Sequence, residues 1–162
     1  MRFPKILLPL ALAGFVWGGP LNSPNSLPDG AGSSVRTSAT PEPKSIGFRY
    51  RGFGIGDPAE EIRKKLGEPR DKSDRQDLYV FGDDESVQFI YGLDAKVTAI
   101  MITFTGKLNS APTPKDVFGE DVPKKPDGGI FKMVRYPKEG YWISYNKIVG
   151  DDSIISIAMQ KL

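Results

Sequence analysis

The chain has no cysteine and no histidine among its 162 residues. Zinc sites built on these ligands, histidine triads, thiol nucleophiles, haem and iron–sulfur ligation each need one of the two, so the sequence excludes them. Disulfide bonds and a lipoprotein anchor need cysteine and are excluded as well. Hydrophobic residues make up 39% of the chain and charged residues 26%, so the apolar share is below average but sufficient for a folded core.

An excess of basic charge is also missing from most of the chain. The formal net charge is +2, and residues 1–45 supply it with four basic and two acidic side chains. Residues 46–162 therefore carry 18 side chains of each sign. Nucleic-acid binding needs a basic surface that releases counterions from phosphates, so we expect no nucleic-acid partner.

No hydrophobic run is long enough for a stable membrane span. Residues 1–19 match a secretion signal: Arg2 and Lys5 precede an apolar run over residues 6–17, and two glycines follow it. A membrane helix needs about 20 apolar residues, and this run has 12. We therefore predict a signal peptide over residues 1–19 and an exported protein, periplasmic or secreted. The alternative is an uncleaved N-terminal membrane anchor.

Residues 20–45 are rich in Pro, Ser, Gly, Asn and Thr and contain almost no large apolar side chain. Such a segment cannot bury enough surface to offset the entropy lost on ordering, so we predict a disordered linker. The compact domain is predicted to occupy residues 46–162.

The first half of this domain, residues 46–108, reads as one helix followed by three strands. The helix is predicted over residues 58–66, with Asp57 as its N-cap, Glu60 completing a capping box and Gly67 ending it. Short loops between the strands imply antiparallel hairpins. The predicted strands are residues 78–81, 86–91 and 97–104.

The second half, residues 109–162, repeats this pattern in degenerate form. A helical turn over residues 114–118 is followed by predicted strands over residues 131–136, 140–145 and 153–159. We therefore predict an α+β fold, an antiparallel sheet with helices on one face, built from a tandem repeat of helix–β–β–β units. The alternative is two unrelated meanders that happen to align.

Residues 56–69 read GDPAEEIRKKLGEP, and Tyr79, residues 87–89 and residues 97–100 follow at suitable positions. This stretch resembles small bacterial envelope domains that begin Gly-x-x-x-x-(Glu/Gln)-Val-x-x-x-Leu-Gly-x-Pro. The family includes the lipoprotein of the outer-membrane β-barrel assembly machine and, as a tandem pair, the β-lactamase inhibitor protein. The resemblance is best over residues 56–104 and implies an exported α+β layer that binds other proteins.

No motif points to catalysis. Ser144 and Lys147 match the Ser-x-x-Lys of penicillin-binding enzymes, but residues three apart on a strand face opposite sides. Carboxylate pairs suited to glycoside hydrolysis are available by residue type, but a small layer is a poor host for a cleft. We expect a non-enzyme with no catalytic residue and no cofactor.

Acidic residues cluster at residues 83–85, at residues 151–152 and at Asp71, Asp74 and Asp77. None of these clusters has the spacing of a calcium-binding loop, so we expect solvated turns and no metal. A weakly bound stabilising ion is the alternative.

The sheet surface opposite the helices is the predicted binding site. If the helices cover the face that carries Phe89 and Tyr145, then the other face carries Gln88, Ile90, Trp142 and Ser144. Aromatic residues dominate the energetics of protein interfaces, so Trp142 is the predicted anchor for an unknown protein partner. In the alternative, Trp142 packs under a loop or against the segment 48–53.

The sequence thus predicts a non-catalytic, exported protein-binding domain. The alternatives are a module that binds a small molecule or a cell-wall ligand, and a structural component of an envelope assembly.

Overall fold

The structure is a computed structural model that describes residues 43–162. The predicted signal peptide and most of the predicted linker lie outside the described residues. Two α-helices, a 3₁₀ turn over Leu108–Ser110 and seven strands make up the fold. The helices are α1 (Ala59–Leu66) and α2 (Pro114–Phe118). The strands are β1 (Asp71–Lys72), β2 (Gln76–Phe81), β3 (Glu85–Tyr91), β4 (Val97–Thr105), β5 (Ile130–Tyr136), β6 (Tyr141–Ile148) and β7 (Ile154–Lys161).

All seven strands form one antiparallel sheet in the order β1-β2-β3-β4-β7-β6-β5. β4 and β7 pair at its centre, and short hairpin connections place the remaining strands outward from this pair. The fold is therefore mixed α+β with an antiparallel sheet, as predicted. The two-residue strand β1 was not predicted, because Asp71 and Lys72 carry no apolar alternation.

One side of the sheet, called here the core face, carries alternate residues of every long strand. Both helices pack on it: Ile62 of α1 and Val117 and Phe118 of α2 join the same buried cluster. Phe89 lies near its middle, with the Tyr79 ring edge-on at 6.0 Å. The buried strand residues are Asp77, Tyr79, Val87, Phe89, Tyr91, Val97, Ile100, Ile102, Phe104, Ile130, Tyr136, Tyr141, Ile143, Tyr145, Ile155, Ile157 and Met159.

The predicted capping of the first helix is wrong. α1 begins at Ala59 with Pro58 as its N-cap, and no side chain caps it. The Asp57 carboxylate instead accepts a hydrogen bond from the Gly54 backbone N–H at 2.9 Å and pairs with Arg49. The chain before α1 folds back through a tight turn at Tyr50–Phe53, which brings these donors to Asp57.

The second helix does have a capping box. The Thr113 hydroxyl accepts from the Asp116 backbone N–H at 3.3 Å, and the Asp116 carboxylate accepts from the Thr113 backbone N–H at 2.8 Å. Hydrogen bonds from the Thr113 side chain and backbone lower the pKa of Asp116. This cap fixes the short helix that delivers Val117 and Phe118 to the core.

Candidate binding face

The second side of the sheet carries neither helix and is called here the open face. The strand registers arrange its side chains in three rows that cross β2, β3, β4, β7, β6 and β5 in that order. The first row is Gln76, Ile90, Ala99, Gln160, Trp142 and Arg135; the second is Leu78, Gln88, Met101, Ala158, Ser144 and Met133; the third is Val80, Ser86, Thr103, Ser156, Asn146 and Phe131.

These three rows are almost free of charge. Arg135 is the one charged side chain of these three rows, although the described part of the chain carries many charges of both signs. Asp71 of β1 stands opposite Leu78 and adds one exposed carboxylate at the end of the second row. Apolar side chains stand well out of the surface: Met101 is 51%, Met133 49% and Phe131 53% exposed. The open face therefore mixes exposed apolar groups with uncharged hydrogen-bonding groups.

Trp142 lies half-buried in the first row. Gln160 of β7 stands opposite it on one side and Arg135 of β5 on the other. A shallow depression of about 300 Å³ runs from Trp142 across β7 and β4 to Ile90, and Met101 contributes to its wall. An indole beside an open depression can receive a partner's side chain without any rearrangement of the sheet.

The face that was predicted to carry Gln88, Ile90, Trp142 and Ser144 does carry all four. They come from two strands, β3 and β6, separated by β4 and β7, so Ile90 and Trp142 lie three strand spacings apart, about 14 Å. Trp142 does not pack against residues 48–53, because Tyr50 and Phe53 of that segment belong to the core on the opposite side of the sheet. The binding role of the four residues stays a prediction.

The sequence prediction missed three strongly exposed apolar side chains of the open face, Met101, Phe131 and Met133. They lie on β4 and β5, which the prediction did not use when it assigned faces. A period-two reading of these strands, like the one applied to β3 and β6, would have found them.

Asp77 of the predicted acidic cluster is engaged in the core and does not share a site with Asp71 and Asp74. Its carboxylate is fully buried and accepts two hydrogen bonds from Arg63, at 2.8 and 2.9 Å, and one from the Tyr91 hydroxyl at 2.7 Å. Burial, followed by the hydrogen bond to Asp77, raises the pKa of Tyr91. Across residues 43–162, no three carboxylates gather into a group that could hold a metal ion.

Glu85 of the second acidic cluster is likewise paired. It accepts hydrogen bonds from the Tyr50 hydroxyl and, at 2.8 Å, from Arg51, whose guanidinium lies 3.9 Å from the centre of the Phe81 ring. Burial, and then the hydrogen bond to Glu85, raises the pKa of Tyr50. This cluster attaches the segment before α1 to the sheet.

Ser144 and Lys147 lie on opposite faces of β6, since Ser144 belongs to the open face and Lys147 has the parity of the buried Tyr145. They cannot cooperate as a nucleophile and its base. A larger surface depression of about 550 Å³ lies beside α1, but Arg49, Asp57, Glu61 and Lys64 line it with both signs of charge. Arg49 and Asp57 already pair with each other there.

Within residues 43–162, no helix has the length and apolar character needed to cross a membrane. Comparison of the chain with protein-family models, with curated proteins and with solved structures finds no match.

Proposed function

We propose that the chain is an exported, non-catalytic domain that binds a protein partner through the open face. The observation that carries this proposal is the exposure of Met101, Met133 and Phe131 on a surface whose three rows contain a single charge. A solvated sheet face normally carries polar side chains on alternate residues. Met101 lies three strand spacings, about 14 Å, from Met133 and Phe131, so these exposed apolar groups are spread over the face. Several such groups on one face of low charge suit a surface that another protein covers.

The composition of the open face defines the chemistry of the partner. Its three rows span about 25 Å across the strands and about 14 Å along them, at the usual strand and residue spacings. The rows thus cover roughly 350 Å², a little under half of the about 800 Å² that each side of a standard protein interface buries, so the proposed contact extends beyond them. The matching surface is apolar with uncharged hydrogen-bonding groups, and it places a carboxylate opposite Arg135.

We also propose that the two halves of the domain are a tandem repeat of one helix–β–β–β unit. The strand order supports a duplicated helix–β–β–β unit, because the strands of each half run outward from the central β4–β7 pair. Such a duplication is the arrangement expected from the resemblance to small envelope domains. We propose that both halves contribute to one binding surface, since the three rows cross the boundary between them without interruption.

Export is the second part of the proposal. The charged start, the short apolar run and the glycines of residues 1–19 support it. After removal of residues 1–19, the predicted linker over residues 20–45 would begin the mature chain.

The experiment that tests the binding function compares four full-length baits in extracts of the source organism: the native chain, Trp142→Ala, Met101→Lys and Leu93→Lys. Leu93 is a matched control because it is 91% exposed and lies in the β3–β4 turn, away from the open face. We expect one protein to be captured by the native chain and by Leu93→Lys, and to be lost with the other two. A partner that all four baits retain, or no partner at all, would refute a binding role for this face.

A second candidate function, a small apolar ligand, is supported by the depression beside Trp142. Its volume of about 300 Å³ is at the lower limit of known ligand pockets. Saturable thermal stabilisation of the native chain by a small molecule, abolished in Trp142→Ala, would favour this function over a protein partner.

A further inference from the structure

The outer edge of β5 has no strand beside it. β5 is seven residues long, contains no proline and keeps a regular register with β6, whereas the opposite edge strand, β1, has two residues. Among the described residues, no backbone hydrogen bond reaches the outer side of β5. Long regular edges of this kind are templates for another strand, and natural proteins usually protect them with bulges, prolines or charges. β5 carries the charges of Lys132 and Arg135 but has neither a bulge nor a proline.

The hydrogen-bond pattern identifies the backbone groups that point outward. Thr105 N–H bonds to the Asp84 carbonyl at 2.8 Å and Leu162 N–H to the Gly140 carbonyl at 2.9 Å, which fixes the alternation along the whole sheet. When this alternation is followed through the strand registers, the backbone N–H and C=O groups of the even-numbered β5 residues point toward β6. The N–H and C=O groups of Phe131, Met133 and Arg135 therefore face solvent.

We propose that a second copy of this chain pairs with this edge, β5 against β5, antiparallel about a two-fold axis at Met133. Met133 then faces its own counterpart, and Phe131 of each copy faces Arg135 of the other. This register pairs all three outward-facing residues, whereas a shift of two residues in either direction pairs only two of them with each other. Symmetric dimers use such self-complementary surfaces.

The side chains suit this register. The pairing of Phe131 with Arg135 places a guanidinium beside an aromatic ring that is 53% exposed, and cations are attracted to such rings. Lys125 Nζ already lies 5.7 Å from the centre of the Phe131 ring, so the Arg135 guanidinium of the second copy would share this ring with another cation. On the other side of the strand, Lys132 would face Val134, so no like charges meet across the new pair.

The core-face side of this edge is open enough to accept the second copy. Lys132 and Val134 remain partly exposed, which shows that the layer covering the core ends at β5. Lys132 pairs with Glu120 of the same chain. Pairing at β5 would join the open faces of two copies into one continuous surface. This dimer is a separate proposal from the binding of a partner by the open face of one copy.

The first test measures the molar mass of the full chain by sedimentation equilibrium over a range of concentrations. We expect a monomer–dimer equilibrium that Met133→Pro weakens by about tenfold or more in Kd, because proline removes the outward N–H and is tolerated on a sheet edge. Met101→Pro would break a central strand and cannot serve as a control. Lysine substitutions give the matched comparison: Met133→Lys at the edge against Met101→Lys in the central strand β4. The two methionines have nearly equal exposure, 51% and 49%, and only Met133 lies on the edge.

A charge exchange makes the test specific for the two-fold axis. Met133→Lys and Met133→Glu should each remain monomeric, because like charges meet at the axis, and their mixture should form a dimer. Met101→Lys should dimerise like the native chain, although it disrupts the proposed partner surface, so the two proposals fail separately. A native chain that is monomeric at all concentrations, or a dimer that Met133→Lys and Met133→Pro leave intact, would overturn the proposed pairing.

Hydrogen exchange resolved by residue gives an independent result. With rising concentration, the amides of Phe131, Met133 and Arg135 should become protected, while those of Lys132 and Val134 are protected throughout by β6. Protection that does not alternate in this way would exclude β5 pairing.

Discussion

Arg63 of α1 binds Asp77 of β2 through two parallel hydrogen bonds, Nε to Oδ2 at 2.8 Å and Nη2 to Oδ1 at 2.9 Å. The two partners differ in exposure: the Asp77 side chain is 0% and the Arg63 side chain 28% exposed. The Tyr91 hydroxyl donates a third hydrogen bond to the same carboxylate. The two residues are 14 positions apart in the sequence, and their pair holds the first helix on the sheet.

The difference in exposure predicts unequal effects of substitution. Arg63→Met leaves a buried carboxylate without its cation and should lower the free energy of unfolding by about 3–5 kcal/mol. Asp77→Asn removes the buried charge, and Arg63 can turn to water, so we expect a smaller loss of about 1–3 kcal/mol. Urea unfolding measures both.

Lys64→Met is the matched control for these variants, because Lys64 is the exposed neighbour of Arg63 on the same helix. It should change the stability by less than about 0.5 kcal/mol. Equal losses for Arg63→Met and Asp77→Asn would contradict the account of this pair.

The buried tyrosines predict a loss of stability in alkali. Burial raises the pKa of Tyr79 to about 12 and raises those of Tyr50 and Tyr91 as well. A raised pKa means that the folded state keeps protons that the unfolded state releases, so stability is fully present below about pH 10 and falls as the pH rises above it. Each such proton contributes a slope of up to about 1.4 kcal/mol per pH unit.

Urea unfolding at a series of pH values between about 9 and 12 checks this prediction. Tyr79→Phe removes one of the raised phenols and should reduce the slope by about one proton. A stability that stays constant over this range would show that these hydroxyls ionise as they do in the unfolded chain.

Substitution of two neighbouring residues of β6 tests which face of the sheet is buried in the core. Ile143 is fully buried and Trp142 stands on the open face. Ile143→Ala should cost about 2–5 kcal/mol, as cavity-forming substitutions do, whereas Trp142→Ala should cost about 1 kcal/mol or less. Thermal or urea unfolding of the two variants gives the comparison, and a larger loss for Trp142→Ala would place the tryptophan in the core.

Export predicts a specific N-terminus. Protein isolated from the envelope or medium of the source organism should lack residues 1–19, and intact-mass measurement will show it. Recovery of the full chain from the membrane would favour the anchored alternative, and recovery from the cytoplasm would refute export.

Local patterns were sufficient to predict most elements of the fold. The alternation of Val87, Phe89 and Tyr91 has the period of a strand, and the same period in β6 assigned Trp142 to the face opposite the core. α2 was predicted with its observed bounds because residues 118–120 repeat the pattern of residues 66–68, where the first helix ends. Period and turn residues act over a few positions, so a sequence displays them directly.

Features that depend on distant contacts could not be predicted in this way. Asp77 was assigned to an acidic turn because its neighbours are charged, and the sequence around it does not reveal Arg63. Asp57 was assigned as a helix cap because nothing local shows that the chain folds back and brings Arg49 to it. The pairing of β4 with β7 joins residues more than 40 positions apart and has no local signal.

The most direct test of the central claim is site-specific photo-crosslinking in the source organism, with a benzophenone amino acid at Met101 in one strain and at Leu93 in another. Both side chains are exposed and apolar, and only Met101 lies on the open face. The account predicts a crosslink to one protein from Met101 and none from Leu93. No crosslink from Met101, or equal crosslinking from both positions, would contradict the claim that this face binds a partner.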